Sequence, residues 1–200
     1  MSEITHGDVK FLRPIHLDFE AALEDDDRIV RILNSQIREA LGANGAAAER
    51  LRRAVYVVRM TGSFIIQYSR FPSPVLYIGR GNASTRLAQH LQRWLCDVHT
   101  FGSDASVELR IVVPRRRNKE NYYMNVEADL LHWFVDRYGQ LPMINRRKES
   151  SYASRVDHKA ATKPLKDLIT TGKGYRPQWA IKPLPSNPLH KVYNTGPSLD

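Results

Sequence analysis

Tyr56, Tyr77, Arg86, His90, Glu127 and Asn145 are the side chains of this 200-residue chain whose types and order could carry out a reaction. Glu127 is the clearest anomaly. Tyr123, Leu130, Leu131 and Phe134 fall at −4, +3, +4 and +7 from it in a helical stretch, so the carboxylate shares their apolar face. A lone carboxylate is costly to bury unless a cation or a donor meets it. The partner can be a basic side chain in a buried salt bridge, or a divalent metal. One carboxylate, with waters and phosphate oxygens completing the shell, suits Mg2+, which keeps water ligands readily. Arg86 and His90 are four residues apart and share one helical face. An arginine there can clamp a phosphate and stabilise charge that develops in a transition state. Tyr56 can serve as general base or proton relay if a neighbour lowers or shares its proton, since a phenol ordinarily titrates near about 10. His90 is the candidate acceptor of that proton. Tyr77 is suited to ordering a water or phosphate, and Asn145, which does not titrate, to orienting its neighbours by hydrogen bonds. Each also has an ordinary reading: an ion pair for Arg86, a structural role for His90, a turn position for Asn145. For Tyr68 and Tyr138 a packing role is the preferred one.

Such a set needs a framework of strands and helices, and the patterns supply one. Val55-Tyr56-Val57-Val58 is β-branched and apolar, predicting a strand over about 54–60, and Leu76-Tyr77-Ile78-Gly79 predicts a second over about 75–79. Between them Phe64 to Pro74, with Pro72-Ser73-Pro74, is expected to be a loop or excursion rather than continued pairing. Asn82 or Ser84 can cap a helix over about 83–95 that buries Leu87, Leu91, Trp94 and Leu95. Its N-terminus could add backbone donors for a phosphate. A third strand, Val107 to Val113, precedes a helix over about 119–138 that Gly139 ends, and Pro142 fixes the turn to Asn145. Upstream, Ile29, Leu33, Ile37, Ala40 and Leu41 recur at helical spacing, and the run Glu24 to Asp27 reads as a solvent face near that helix's N-terminus.

The ordered residues resemble the GIY-YIG nuclease superfamily over roughly residues 51 to 148. The second signature is literal, Tyr77-Ile78-Gly79; the first survives as Tyr56, with Ala54 and Val55 in place of the family's glycine and isoleucine. The 21-residue gap between the two tyrosines is wider than in minimal members and is comparable to small Type II restriction enzymes of the superfamily. The resemblance implies an α+β fold, a small three-stranded, mainly antiparallel sheet flanked by helices. It also implies a single metal, Mg2+ with Mn2+ as substitute, held by Glu127. The expected activity is endodeoxyribonucleolytic, leaving 5′-phosphate and 3′-hydroxyl ends, and restriction is the first choice. Such an enzyme is expected to be a homodimer, because one site per subunit must cut two strands of double-stranded DNA. Homing, repair or structure-directed nucleases of the superfamily, an RNA-directed nuclease, and a catalytically silent DNA-binding protein are the rivals.

Charge fits a polyanionic partner. Residues 1–50 carry a net −4, so the remainder of this +9 chain carries +13. Arg80, Arg115, Arg116, Arg117, Arg146, Arg147 and Lys148 are the candidate DNA contacts, which would give affinity without sequence information. The reading divides the chain into a helical N-terminal extension (1–50), a nuclease core (51–148) and an irregular, basic, proline-containing C-terminal arm (149–200). No apolar run approaches the roughly 18 residues of a membrane span, so no membrane partner is expected. The single cysteine, Cys96, excludes an internal disulfide, and a cytoplasmic location is the default.

Overall fold

The computed structural model describes residues 4–23, 28–45, 50–62, 64–101, 104–146, 157–170 and 179–181. The apolar run around Tyr56 becomes the central strand β4 (Ala54–Thr61), buried along its whole length as far as Met60. Such a two-sided apolar strand must be covered on both faces and paired on both edges. Its partners are β7 (Val75–Gly81) and β8 (Ser106–Pro114), both antiparallel. These are the three strands that the sequence predicts.

The sheet is larger than the three-stranded expectation, and the N-terminal segment is not only helical. Three-residue strands β1 (Ile4–His6), β2 (Val9–Phe11) and β3 (Ile15–Leu17) precede the helices. Both β2 and β3 pair with β8, extending the sheet to six strands in the order β1-β2-β8-β4-β7, with β3 also on β8. Strands so short carry no readable period-two pattern; β2 and β3 are selected by a partner far along the chain, and β1 pairs with β2. Helices α1 (Phe19–Leu23) and α2 (Ile29–Ala43) follow, and α2 buries Leu33, Ile37 and Leu41 as its periodicity predicts. The acidic run 24–27 lies outside the described residues.

The insertion between the tyrosines also pairs, against the expectation of a loop. It forms β5 (Phe64–Gln67) and β6 (Pro72–Ser73), and β9 (Trp179–Ile181) adds in parallel to β5, giving a second, three-stranded sheet. Pro72 is tolerated because β6 is an edge strand. Helix α3 (Ala83–His90) is capped by Asn82, whose side chain accepts from the Thr85 amide at 3.3 Å. The chain then continues through a π turn, Leu91–Leu95, and a 3-10 turn, Cys96–Phe101. Helix α4 (Tyr122–Tyr138) stops at Gly139, which adopts the left-handed conformation (φ 83°) that a helix C-terminus favours.

Part of the predicted C-terminal arm packs on the core. A short helix, α5 (Thr162–Asp167), and its flanks bury Ala161, Leu165, Leu168 and Ile169. The carbonyls of Leu168 and Ile169 accept hydrogen bonds from Arg59 and Tyr138. Leu165 to Ile169 is the one stretch of the arm whose sequence pattern suits a helix, and its apolar side chains are among those that dock. The described chain is thus α+β, a mostly antiparallel sheet flanked by helices.

Candidate active site

The β4–β7 register sets the two phenols side by side. Tyr56 pairs with Gly79 and Val58 with Tyr77, so both tyrosines and the glycine project on one face. The tyrosine ring centroids are 6.1 Å apart. Gly79 is small for a reason: a Cβ there would collide with the Tyr77 ring and lie 2.8 Å from the Tyr56 Oη. The glycine of the Tyr77-Ile78-Gly79 signature is therefore more than a packing position; it provides the room in which the hydroxyls meet.

Helix α3 brings the next two groups. His90 Nε2 lies 3.0 Å from the Tyr56 Oη, and its ring meets Tyr77 edge-on at 4.7 Å between centroids. Arg86, one turn earlier, acts on both phenols by charge and by hydrogen bonding. The site is graded from interior to solvent: Tyr56 is fully buried, Tyr77 half-buried and Arg86 exposed. Trp94, read from the sequence as core alone, donates its indole N–H to His90 Nδ1 at 3.1 Å. Its spacing of four from His90 is the signal that could have found it.

Burial governs the proton affinities. It drives the Tyr56 pKa well above the phenol range, and the neighbouring Tyr77 adds to the rise while Arg86 opposes it. Burial likewise raises Tyr77, against the pull of Arg86. His90 is pushed down to about 4 by burial and by the positive charges of Arg86 and Arg93, which keeps the imidazole neutral at neutral pH. Glu127, on α4, is near enough to raise both phenols.

Glu127 is buried (6 % exposed) on the apolar face that the helical spacing predicts. Its carboxylate pairs with the guanidinium of Arg80, which by strand alternation projects from β7 on the face opposite Tyr77. Arg80, a predicted DNA contact, is thus engaged with the acid. Among the described residues no three His, Cys, Asp or Glu side chains gather as a metal cage. A single carboxylate fits a hard cation that keeps most of its waters, which is the Mg2+ pattern and not that of zinc. Arg80 competes with such a cation for the same oxygens.

Asn145 reaches none of these groups directly. Its Oδ1 accepts from the Ile78 amide at 3.0 Å and its Nδ2 donates to the Ile78 carbonyl at 2.8 Å. The carboxamide closes the outer edge of β7 as a further strand residue would, holding the segment between the two site residues Tyr77 and Gly79. Tyr68 and Tyr138 are packing residues: both are buried, and their rings lie 6.0 Å apart.

Of the predicted basic contacts, Arg115 and Arg117 are exposed just past the end of β8, and Arg146 is exposed. Because Val112 pairs with Val55, and Val55 with Arg80, they follow the end of the sheet that carries Arg80. Arg116 is engaged: it faces Asp8 at 3.6 Å, donates to the Asp157 carbonyl at 3.2 Å and overlies Tyr122. Arg147 and Lys148 lie outside the described residues.

The fold and site define a class, an α+β protein with paired phenols, an imidazole and a guanidinium at one sheet end. Compared with protein-family models, curated proteins and solved structures, the chain matches none. Among the described residues no helix is long and apolar enough to cross a membrane.

Proposed function

We propose that this chain is a Mg2+-dependent endodeoxyribonuclease of the GIY-YIG type, acting on double-stranded DNA as a homodimeric, site-specific restriction enzyme. The observation that carries the reading is the convergence of Tyr56, Tyr77, Arg86 and His90 from two strands and a helix, within the field of the buried Glu127. Binding alone requires no such gathering of phenols around a neutral histidine.

In this reading Glu127 holds the cation, which when bound supplies positive charge beside the scissile phosphate. The phenol pair, kept protonated by burial, relays the proton of the attacking water, accepting one as it gives one to the departing 3′-oxygen, with Tyr77 on the outer side and Tyr56 behind it. Arg86, exposed at the mouth, clamps the phosphate and meets the charge that develops on it. Asn145 holds the Tyr77–Gly79 strand edge in register. Arg115, Arg117 and Arg146 offer charge to the flanking phosphates, Arg80 being engaged with Glu127.

One observation favours a second reading. The Arg80–Glu127 pair gives the buried acid a partner without any metal, as a silent DNA-binding protein would need. Incubation of the protein with a large unmodified phage DNA, with Mg2+ or with EDTA, and alongside Glu127→Ala, separates the two. Discrete bands that need Mg2+ and vanish in the variant are expected. A Mg2+-dependent smear would keep the chemistry but remove the restriction assignment. Salt-sensitive binding with no cleavage would transfer the protein to the silent class.

A further inference from the structure

The indole N–H of Trp94 is a donor only. Its hydrogen bond to His90 therefore requires that Nδ1 be unprotonated. The imidazole is neutral at neutral pH, held so by burial and by Arg86 and Arg93, and thus carries one ring proton. With Nδ1 occupied as an acceptor, that proton sits on Nε2, 3.0 Å from the Tyr56 hydroxyl. We infer that Trp94 is a positioning residue that locks His90 in its Nε2–H form, so that His90 donates to Tyr56 and is closed to Tyr56's proton.

This reverses the direction that the sequence implies for the pair. A histidine accepting from Tyr56 would draw the phenolic proton inward. A histidine donating to it leaves that proton on the outer side of Tyr56, toward Tyr77, and stabilises the phenolate oxygen when the proton has left. The proton then leaves by the half-buried Tyr77 side of the site, not through the imidazole. The protons balance: as the water's P–O bond forms, one water proton enters the phenol pair at Tyr77 and one leaves it there for the departing 3′-oxygen, whose bond to phosphorus breaks, while His90 keeps its own throughout. The backbone is built for the arrangement. Immediately after His90 the helix changes to a π turn over Leu91–Leu95, which carries Trp94, and such turns recur at functional sites. The His90 and Trp94 rings lie 5.5 Å apart, with Tyr77 6.1 Å from Trp94.

The catalytic part of this inference rests on the nuclease reading, but the tautomer does not, and the test separates them. Full-length protein labelled with 15N in histidine and tryptophan is studied by long-range proton–nitrogen correlation NMR at neutral pH, with His90→Gln to assign the ring. The expected spectrum has a pyrrole-like Nε2, a pyridine-like Nδ1 and a scalar coupling from the Trp94 indole nitrogen across the hydrogen bond to Nδ1. Trp94→Phe keeps the ring bulk and should release His90 to a mixture of tautomers or to the Nδ1–H form. A proton on Nδ1 in the parent protein, no cross-bond coupling, or an unchanged tautomer in Trp94→Phe would each overturn the inference. If Trp94→Phe does not fold, the coupling in the parent protein decides. In DNA cleavage, Trp94→Phe should lower kcat by about ten- to a hundredfold with little change in KM, the loss of one hydrogen bond to a developing charge. His90→Gln, which keeps an N–H donor, should retain more activity than His90→Leu. An Nε2–H spectrum from a protein that cuts no DNA would remove the nuclease reading and leave the tautomer lock standing.

Discussion

Glu127 and Arg80 form a pair in which each makes the other tolerable. The carboxylate side chain is 8 % exposed and the guanidinium 23 %, so removing the arginine takes a positive partner from a buried charge. Arg80→Ala should destabilise the fold by about 2–3 kcal/mol, at the low end for a broken buried pair because the guanidinium is partly solvated; urea unfolding measures it. Glu127→Gln keeps an acceptor for Arg80 while losing the charge. It should therefore unfold close to the parent midpoint, bind DNA, and lose cleavage by about a hundredfold or more, the scale of removing a group that stabilises transition-state charge. Normal turnover in this variant would remove Glu127 from the chemistry. His90 makes the third residue-scale prediction. Its pKa of about 4 in the folded chain lies below the 6.5 of an unperturbed imidazole. Between these values the unfolded chain binds the extra proton, so the stability this residue contributes is complete above about 6.5 and is lost as pH falls toward about 4. The loss should reach roughly 3 kcal/mol at most, and His90→Gln should flatten that part of the pH–stability curve.

Among the elements, the register of β4 on β7 does the positioning, and two small features protect it. Gly79→Ala would push a methyl group between the Tyr56 and Tyr77 rings. Cleavage should fall sharply while the far-UV spectrum and DNA binding persist; full activity would mean that the phenols need not share their present space. Asn145 does for the edge of β7 what a neighbouring strand would do. Its replacement by Ala removes both bonds to Ile78. A cost of about 1–2 kcal/mol is expected, with faster hydrogen exchange at the Ile78 amide as its local signature. Helix α3 completes the positioning from the other side. Its Asn82 cap fixes where the helix starts, and four-residue steps then carry Arg86, His90 and Trp94 along the site.

Across the whole molecule, part of the basic surplus is engaged within the fold and part is exposed. Arg116 is tied to Asp8, Asp157 and Tyr122, linking the N-terminal hairpin and the docked C-terminal segment to α4. Arg115 and Arg117 are exposed on either side of it. A protein that neutralises phosphates with such residues loses affinity linearly in log salt, with a slope of about 0.9 per contact. Replacing Arg115 and Arg117 together by Ala should thus reduce that slope by up to about 2 and leave the melting temperature nearly unchanged, whereas Arg116→Ala should lower the melting temperature. Equal salt slopes in the parent and the double variant would exclude this end of the sheet from the DNA contact. The segment 157–170 belongs to stability: truncation before it would uncover Tyr138, Arg59 and the core beneath Leu165 and Ile169.

Whatever is encoded locally could be read from the residues alone. Branched apolar runs made β4, β7 and β8 legible, helical spacing made α2, α3 and α4 legible, and a glycine marked the end of α4. The apolar face around Glu127 likewise announced a buried acid, because i±3 and i±4 neighbours share a side of any helix. Features that depend on partners distant in sequence emerged only in the folded chain. The three-residue β2 and β3 became strands because β8 was there to pair with them, and the insertion became a sheet in which β5 pairs with β9, more than a hundred residues on. The partner of Glu127 turned out to be Arg80, and the direction of the His90–Tyr56 hydrogen bond was set by Trp94. Propensity and periodicity act within a few residues of the chain, whereas pairing, charge matching and proton position are settled by whichever groups folding brings within about 3 Å.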